Sequence, residues 1–174
     1  SVVSKDVSIL SKCDKLILPG VGAFQDCMNT LHSIGLYDFI VQQVKKDIPL
    51  LGICLGMQAL FESSEENGYC QGFGFIKGHV CQMEDTSVKI PQIGWNVLES
   101  NQNQHIFKEN TYVYYVHSYY AKDMDDKDLI GYSMYGNMKI PGLVMRKHIM
   151  GCQFHPEKSG EDGLKILEYF GKEF

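Results

Sequence analysis

Ile48-Pro49-Leu50-Leu51-Gly52-Ile53-Cys54-Leu55-Gly56-Met57-Gln58-Ala59-Leu60-Phe61-Glu62 changes its hydrophobic period half-way along. Leu50, Leu51 and Ile53 form an apolar run of strand length, after which Met57, Leu60 and Phe61 recur at helical spacing. Cys54 sits at the changeover, and Gly52 and Gly56 remove side-chain bulk where a strand turning straight into a helix would crowd itself. The stretch reads as a nucleophile elbow with sulfur in place of the usual hydroxyl. The first N–H groups of the helix and the positive end of its dipole predict a thiol pKa below the ordinary value. An arbitrary intracellular cysteine is more often a small buried core residue; the glycine brackets and the period switch favour the nucleophile here.

Outward from this stretch, the upstream sequence alternates. Asp6 to Cys13 suits a short helix, Lys15-Leu16-Ile17-Leu18 a buried strand ended by Pro19-Gly20-Val21-Gly22, and Phe24, Met28 and Leu31, then Leu36, Phe39, Ile40 and Val44, fall at helical spacing. Strand and helix in alternation predict a parallel sheet. Downstream of Gly68 the segments 73–83, 88–98, 111–120, 129–133 and 143–154 are aromatic and β-branched, and predict strands, many antiparallel, with a hairpin turn at Lys147-His148. Ser159 can cap a closing helix that carries Leu164, Leu167, Phe170 and Phe174 on one side. The polar patches 99–103 and 122–128 read as solvated loops. The expected fold is α/β, one domain over residues 1–174, with a mostly parallel central sheet flanked by helices and an added antiparallel section.

At 174 residues and 44% hydrophobic content the chain can bury one sizeable core. A net charge of −5 without a basic stripe gives no footprint for nucleic acid. Six cysteines, at 13, 27, 54, 70, 81 and 152, include no C-x-x-C, and six histidines include no H-x-x-x-H, so neither a disulfide framework nor a metal site is expected, and no cofactor. No apolar run reaches membrane length, and residues 1–10 lack a secretory pattern. These features suit the reducing cytoplasm.

A cysteine nucleophile needs a base near it in space. The candidate is His155, which follows a strand, with Glu157 two residues on across a stiffening Pro156 so that a carboxylate can orient the imidazole. Taken alone, such a histidine is more often an ordinary strand-end residue. Paired with the elbow it completes a Cys-His-Glu triad. Attack on an amide or ester carbonyl also needs backbone donors for an oxyanion, and the N–H of Leu55 and the loop 19–22 can supply them.

Pro-Gly-Val-Gly-Ala-Phe at 19–24, Gly-Ile-Cys-Leu-Gly-Met-Gln at 52–58, Pro-Gln-Ile-Gly-Trp-Asn at 91–96, Val-His-Ser-Tyr at 116–119 and Gln-Phe-His-Pro-Glu-Lys-Ser at 153–159 together resemble the class I glutamine amidotransferases. Within that class the Gly-Trp-Asn and His-Ser-Tyr segments resemble the histidine-pathway branch, the glutaminase subunits of imidazole glycerol phosphate synthase. The resemblance covers essentially the whole chain, except that the family starts with a strand and helix, about thirty residues, that this sequence lacks.

The resemblance implies that Cys54 is the nucleophile, His155 the acid and base, and Glu157 the residue orienting it. It implies oxyanion and substrate contacts from Gly22 and Leu55, and a glutamine pocket lined by Gln58, Glu66, Ser118 and Tyr119, with the Glu66 carboxylate near the substrate ammonium. It further implies hydrolysis of L-glutamine through a thioester, with ammonia passed to a (βα)₈-barrel cyclase partner in a heterodimer that makes imidazole glycerol phosphate and aminoimidazole carboxamide ribotide. Trp95, Asn96, Tyr114 and Lys158 are the expected partner-facing residues. Two alternatives stay open: an amidotransferase feeding another acceptor, such as a surface-polysaccharide sugar precursor, and a glutamine-binding regulatory subunit without turnover.

Overall fold

The computed structural model describes residues 1–102 and 104–174. The first third alternates as its periodicity predicts: α1 (Val7–Leu10), β1 (Leu16–Gly20), α2 (Phe24–Ser33), α3 (Leu36–Lys45), β2 (Leu50–Cys54) and α4 (Leu55–Gln58). All of β2 is buried, which is what an uninterrupted apolar strand needs. Two short strands, β3 (Ser63–Ser64) and β4 (Cys70–Gln71), lead to β5 (His79–Gln82), β6 (Gln92–Ser100), β7 (Thr111–His117), β8 (Tyr119–Lys122), β9 (Leu129–Tyr135), β10 (Met138–Arg146), β11 (Ile149–Cys152) and α5 (Gly160–Lys172).

Among the described residues seven strands make the main sheet, in the order β1-β2-β11-β10-β9-β6-β7, and β4-β3-β5-β8 make a smaller one. β1 and β11 flank β2 and run parallel to it. From β11 outward every pairing in the main sheet is antiparallel. The α/β class with parallel strands and an antiparallel section is thus realised, with the antiparallel section the larger part. The two-residue turn at Lys147-His148 makes the switch: Arg146 pairs with Ile149, and Lys147 takes a φ of +54°. Successive β2 residues face opposite ways. Leu50 joins Phe24, Met28, Leu31, Phe39 and Ile40 from α2 and α3. Leu51 and Ile53 join Tyr115, Phe154 and, from α5, Ile166 and Phe170.

Register positions the chemistry. Gly20 of β1 lies opposite Cys54, and Cys152 of β11 opposite Ile53. The segments leaving the carboxyl ends of three parallel strands therefore meet in one place, where ligands bind in open α/β sheets.

Several local expectations change. The helix after Cys54 is a single turn, because the carbonyls of Ala59, Leu60 and Phe61 accept N–H groups from residues 73–76 instead of continuing the helix. Ser159 stands at the start of α5 without capping it; its hydroxyl donates to His155 O at 2.6 Å and accepts from Tyr114 N at 2.9 Å. Gly163, Ile166 and Phe170 form the buried stripe of α5, and Leu164 is exposed. Glu99 and Ser100 belong to β6, and Asn103 of the same polar patch lies outside the described residues. Asp128 is buried and accepts from Arg146 Nη1 at 2.8 Å, so the 122–128 patch is not wholly a solvated loop.

Candidate active site

Cys54 closes β2 with φ +54° and ψ −112°, a conformation that side-chain-bearing residues rarely hold without support around them. The glycines on either side provide that support by absence. A Cβ on Gly52 would fall 2.5 Å from Gly56 O, and one on Gly56 only 1.8 Å from Leu18 O, so the elbow packs backbone to backbone against β1.

The Cys54 thiol donates to Val116 O at 3.8 Å, and the Gln153 amide donates to its sulfur, also at 3.8 Å. Its pKa is pushed up to about 11, mainly by burial and further by the Glu157 charge, against the pull of the Leu55 N–H and the Lys158 charge. The lowered pKa expected from a helix dipole is thereby overturned. A one-turn helix carries little dipole, and a buried thiolate loses its hydration.

After β11 the chain is pinned from two strands. Gln153 N donates to Gly142 O and His155 N to Tyr114 O, each at 2.9 Å. His155 is thus buried at the strand ends, with Nδ1 2.8 Å from Glu157 Oε1. Since the carboxylate can only accept, Nδ1 carries the proton and Nε2 presents a lone pair. That Nε2 is buried and has no hydrogen-bond partner among the described residues. His155 and Cys54 line one cavity.

This cavity, of about 290 Å³, is lined by Val21, Gly22, Cys54, Leu55, Gln58, Glu66, Val116, His117, Ser118, Tyr119 and His155. A more open depression of about 920 Å³ beside Lys122 and Met138 contains neither a cysteine nor a histidine. The smaller cavity thus brings together Cys54, His155 and all six expected substrate residues, with Glu157 behind the imidazole. Glu66 reaches across to the first turn of α2 and accepts from Phe24 N at 2.8 Å. Gln58 donates to Tyr119 O at 2.9 Å and to Gln153 Oε1 at 3.0 Å. Both its N–H groups are taken, so a ligand meets its carbonyl oxygen.

Trp95 and Tyr114 pair across β6 and β7 and stack edge to face, with Trp95 more than half exposed. The Trp95 ring also lies against Gly160, two residues past the exposed Lys158. Asn96 departs from this group. Neighbours on a strand face opposite sides, and its amide donates to Met134 O at 2.9 Å.

Sequence reasoning gave no role to Gln153 or His117, although both stand in the quoted segments. The available signal was a polar side chain inside an otherwise apolar strand end. His117 Nδ1 donates to Tyr119 O at 2.8 Å, and burial pushes the ring's pKa down to about 4, helped by the neighbouring His155. Its Nε2 lies 3.0 Å from the Gln92 side-chain oxygen, Oε1. Ile93, Tyr112 and Val116 are exposed beside Trp95 on the β6–β7 ribbon.

Among known proteins, the family model for glutamine amidotransferase class-I matches residues 2–173. The imidazole glycerol phosphate synthase subunit HisH of Lactococcus lactis is 47% identical, over 99% of this chain and 86% of its own length. The HisH of Oceanobacillus iheyensis is 42% identical over 98% of the chain and 85% of its own length. A solved glutamine amidotransferase shares the fold at a TM-score of 0.73 and 17% identity, over 97% of this chain and 85% of that one. PurLQS from Thermotoga maritima does so at 0.65 and 21%, over 90% and 78%. The elbow and the strand-end histidine thus sit in a chain that matches one family nearly from end to end, and the chain belongs to the class I glutamine amidotransferases.

Proposed function

We propose that this chain is the glutamine-hydrolysing subunit of an imidazole glycerol phosphate synthase in histidine biosynthesis, producing ammonia for a (βα)₈-barrel cyclase with which it forms a heterodimer. The observation that carries the chemistry is that His155, with its buried Nε2 unpartnered among the described residues and its Nδ1 fixed by Glu157, lines the same cavity as Cys54. The relatives are subunits of imidazole glycerol phosphate synthase, which supports the assembly.

Glutamine enters with its ammonium toward Glu66 and its side-chain amide toward Cys54. The thiol turns from Val116 O to His155 Nε2 and gives up its proton there, and the sulfur bonds to the amide carbon. The N–H groups of Leu55 and Gly22 receive the oxyanion. His155 returns the proton to the departing nitrogen, ammonia leaves, and a γ-glutamyl thioester remains. A water molecule then gives its proton to His155 and attacks the thioester, and collapse releases glutamate while the sulfur recovers its proton. Glu157 holds the ring in register throughout.

Trp95, Tyr114 and Lys158, extended by Ile93, Tyr112 and Val116, form the face toward the cyclase. Aromatic anchors with a lysine at their border suit a protein partner. Val116 links that face to the site, since its carbonyl holds the resting thiol. Six free cysteines fit a cytoplasmic protein. Among the described residues no helix is long and apolar enough to cross a membrane. The test is Cys54→Ala: glutamate release is lost while glutamine binding, followed by calorimetry, persists. Turnover near the parent rate would refute the assignment.

A further inference from the structure

We propose that Gln153 is a positioning residue for the nucleophile: its amide N–H donates to the Cys54 sulfur and stabilises the thiolate, and Gln58 holds that amide in orientation. The proposal rests on the reading of Cys54 as nucleophile and adds a residue that this reading does not need.

Gln153 is completely buried, immediately past β11. A buried primary amide is costly unless its polar atoms are satisfied. Its Oε1 accepts from Gln58 Nε2 at 3.0 Å, and its Nε2 donates to Cys54 Sγ at 3.8 Å. The direction of this relay is fixed from its far end. Tyr119 O can only accept, so Gln58 must turn its nitrogen there, 2.9 Å away. That nitrogen's second N–H then requires an acceptor from Gln153, which leaves the Gln153 nitrogen as the end aimed at sulfur. A backbone carbonyl in the glutamine cavity thereby sets the orientation of a donor at the nucleophile.

The two contacts of the sulfur respond oppositely to ionisation. Val116 O accepts the thiol proton and repels the sulfur once that proton is gone. The Gln153 N–H gains, because hydrogen bonds to a charged acceptor are stronger than those to a neutral one. Burial disfavours the thiolate, with the Leu55 N–H acting against it. Gln153 is a side-chain donor acting in the same sense as that N–H, and it remains in place when the sulfur swings from Val116 toward His155.

The experiment measures iodoacetamide alkylation of the full chain from about pH 7 to about pH 11, with the Cys54 peptide quantified by mass spectrometry and Cys13 as internal reference. Gln153→Met keeps the length and removes the donor. It is expected to slow Cys54 alkylation about tenfold at a fixed pH and to displace the rise by about one pH unit. Gln153→Glu keeps the shape, replaces the donor by a charge and is expected to slow it further. Gln58→Met gives a smaller loss and adds nothing on top of Gln153→Met, since both act through one contact. A Gln153→Met profile that superposes on the parent, in a protein with unchanged melting, overturns the proposal and makes Gln153 a core filler. If both Gln153 variants fail to fold, Gln58→Met decides: a profile equal to the parent's also overturns it. Thiol ionisation is read without glutamine turnover, so a failure of the glutaminase reading registers in glutamate release and leaves this profile unaffected.

Discussion

Placing one methyl group on Gly56 tests how the elbow is built. The new Cβ would lie 1.8 Å from Leu18 O and 2.8 Å from Leu18 C, both backbone atoms of β1. Neither atom can swing aside as a side chain would, so α4 and β1 must separate by more than an ångström. β1 is tied to β2 through five paired residues, from Leu16 opposite Leu50 to Gly20 opposite Cys54. Separation therefore displaces either the 19–22 loop or the Cys54–Leu55 turn. Overpacking costs about 1–3 kcal/mol where side chains can yield, and the rigid target puts Gly56→Ala at the upper end, about 3 kcal/mol. For a domain of this size that lowers Tm by about 6–12 °C. Glutamate release should fall with it, because the displaced atoms are those we propose to attack and to hold the oxyanion. Gly171→Ala is the control: a Cβ there meets nothing within 4 Å, the residue lies in α5, and replacing helical glycine by alanine gains about 0.5–1 kcal/mol. Calorimetric melts of the two variants should move in opposite directions. A Gly56→Ala protein that melts with the parent and hydrolyses glutamine normally would refute the backbone-contact account of the elbow.

His155→Ala should lower kcat for glutamate release by about a thousandfold, and Glu157→Gln by less, because an amide oxygen can still accept from Nδ1; the reverse order would mean the two roles are misassigned. Lys158→Ala should remove most of the stimulation by a co-purified cyclase while leaving Tm unchanged, and full stimulation in that variant would detach Lys158 from the interface. Acid stability should depend on His117. Its folded ring stays neutral down to about pH 4, whereas an unfolded histidine takes up a proton near pH 6.5. Stability from the neutral ring is therefore complete above pH 6.5 and is lost as pH falls toward 4, by up to about 3 kcal/mol. Urea titrations of His117→Asn should lose that part of the acid dependence, and an unaltered slope would show that the ring is not the titrating group.

What the sequence made legible was what local periodicity carries. The change of period at Cys54, the apolar run of β2 and the helical spacing of α2 and α3 are properties of neighbouring residues, and each appears where its spacing puts it. The strand-end position of His155 and the adjacency of Glu157 were legible for the same reason. The length of α4 was not, because residues 73–76, far along the chain, take the carbonyls that a longer helix would need. The protonated resting thiol was not legible either. It follows from burial and from Val116 O, which β7 delivers from sixty-two residues away. Asp128 looks like any acidic loop residue until Arg146 folds against it. Gln153 and His117 stand inside recognisable segments, yet their partners, Gln58, Cys54 and Gln92, become neighbours only once the sheet is assembled.

The bond from Phe24 N–H to the Glu66 carboxylate bears on attempts to redesign this pocket. Ala23, at the N-cap of α2, offers no side-chain acceptor, so the acceptor for the helix's first turn comes from a loop forty-two residues later. One carboxylate thus serves the helix start and lines the cavity, where we propose that it meets the ammonium of glutamine. A library that varies Glu66 to admit amides without an α-amino group would also uncap α2, at about 1 kcal/mol, and loosen the chain next to Gly22. Broadened substrate range and a weakened oxyanion loop would then arrive in the same clones, and screens for activity alone would discard both. Supplying α2 with its own acceptor first, through Ala23→Ser or Ala23→Asp, would separate the two duties and leave Glu66 free to change.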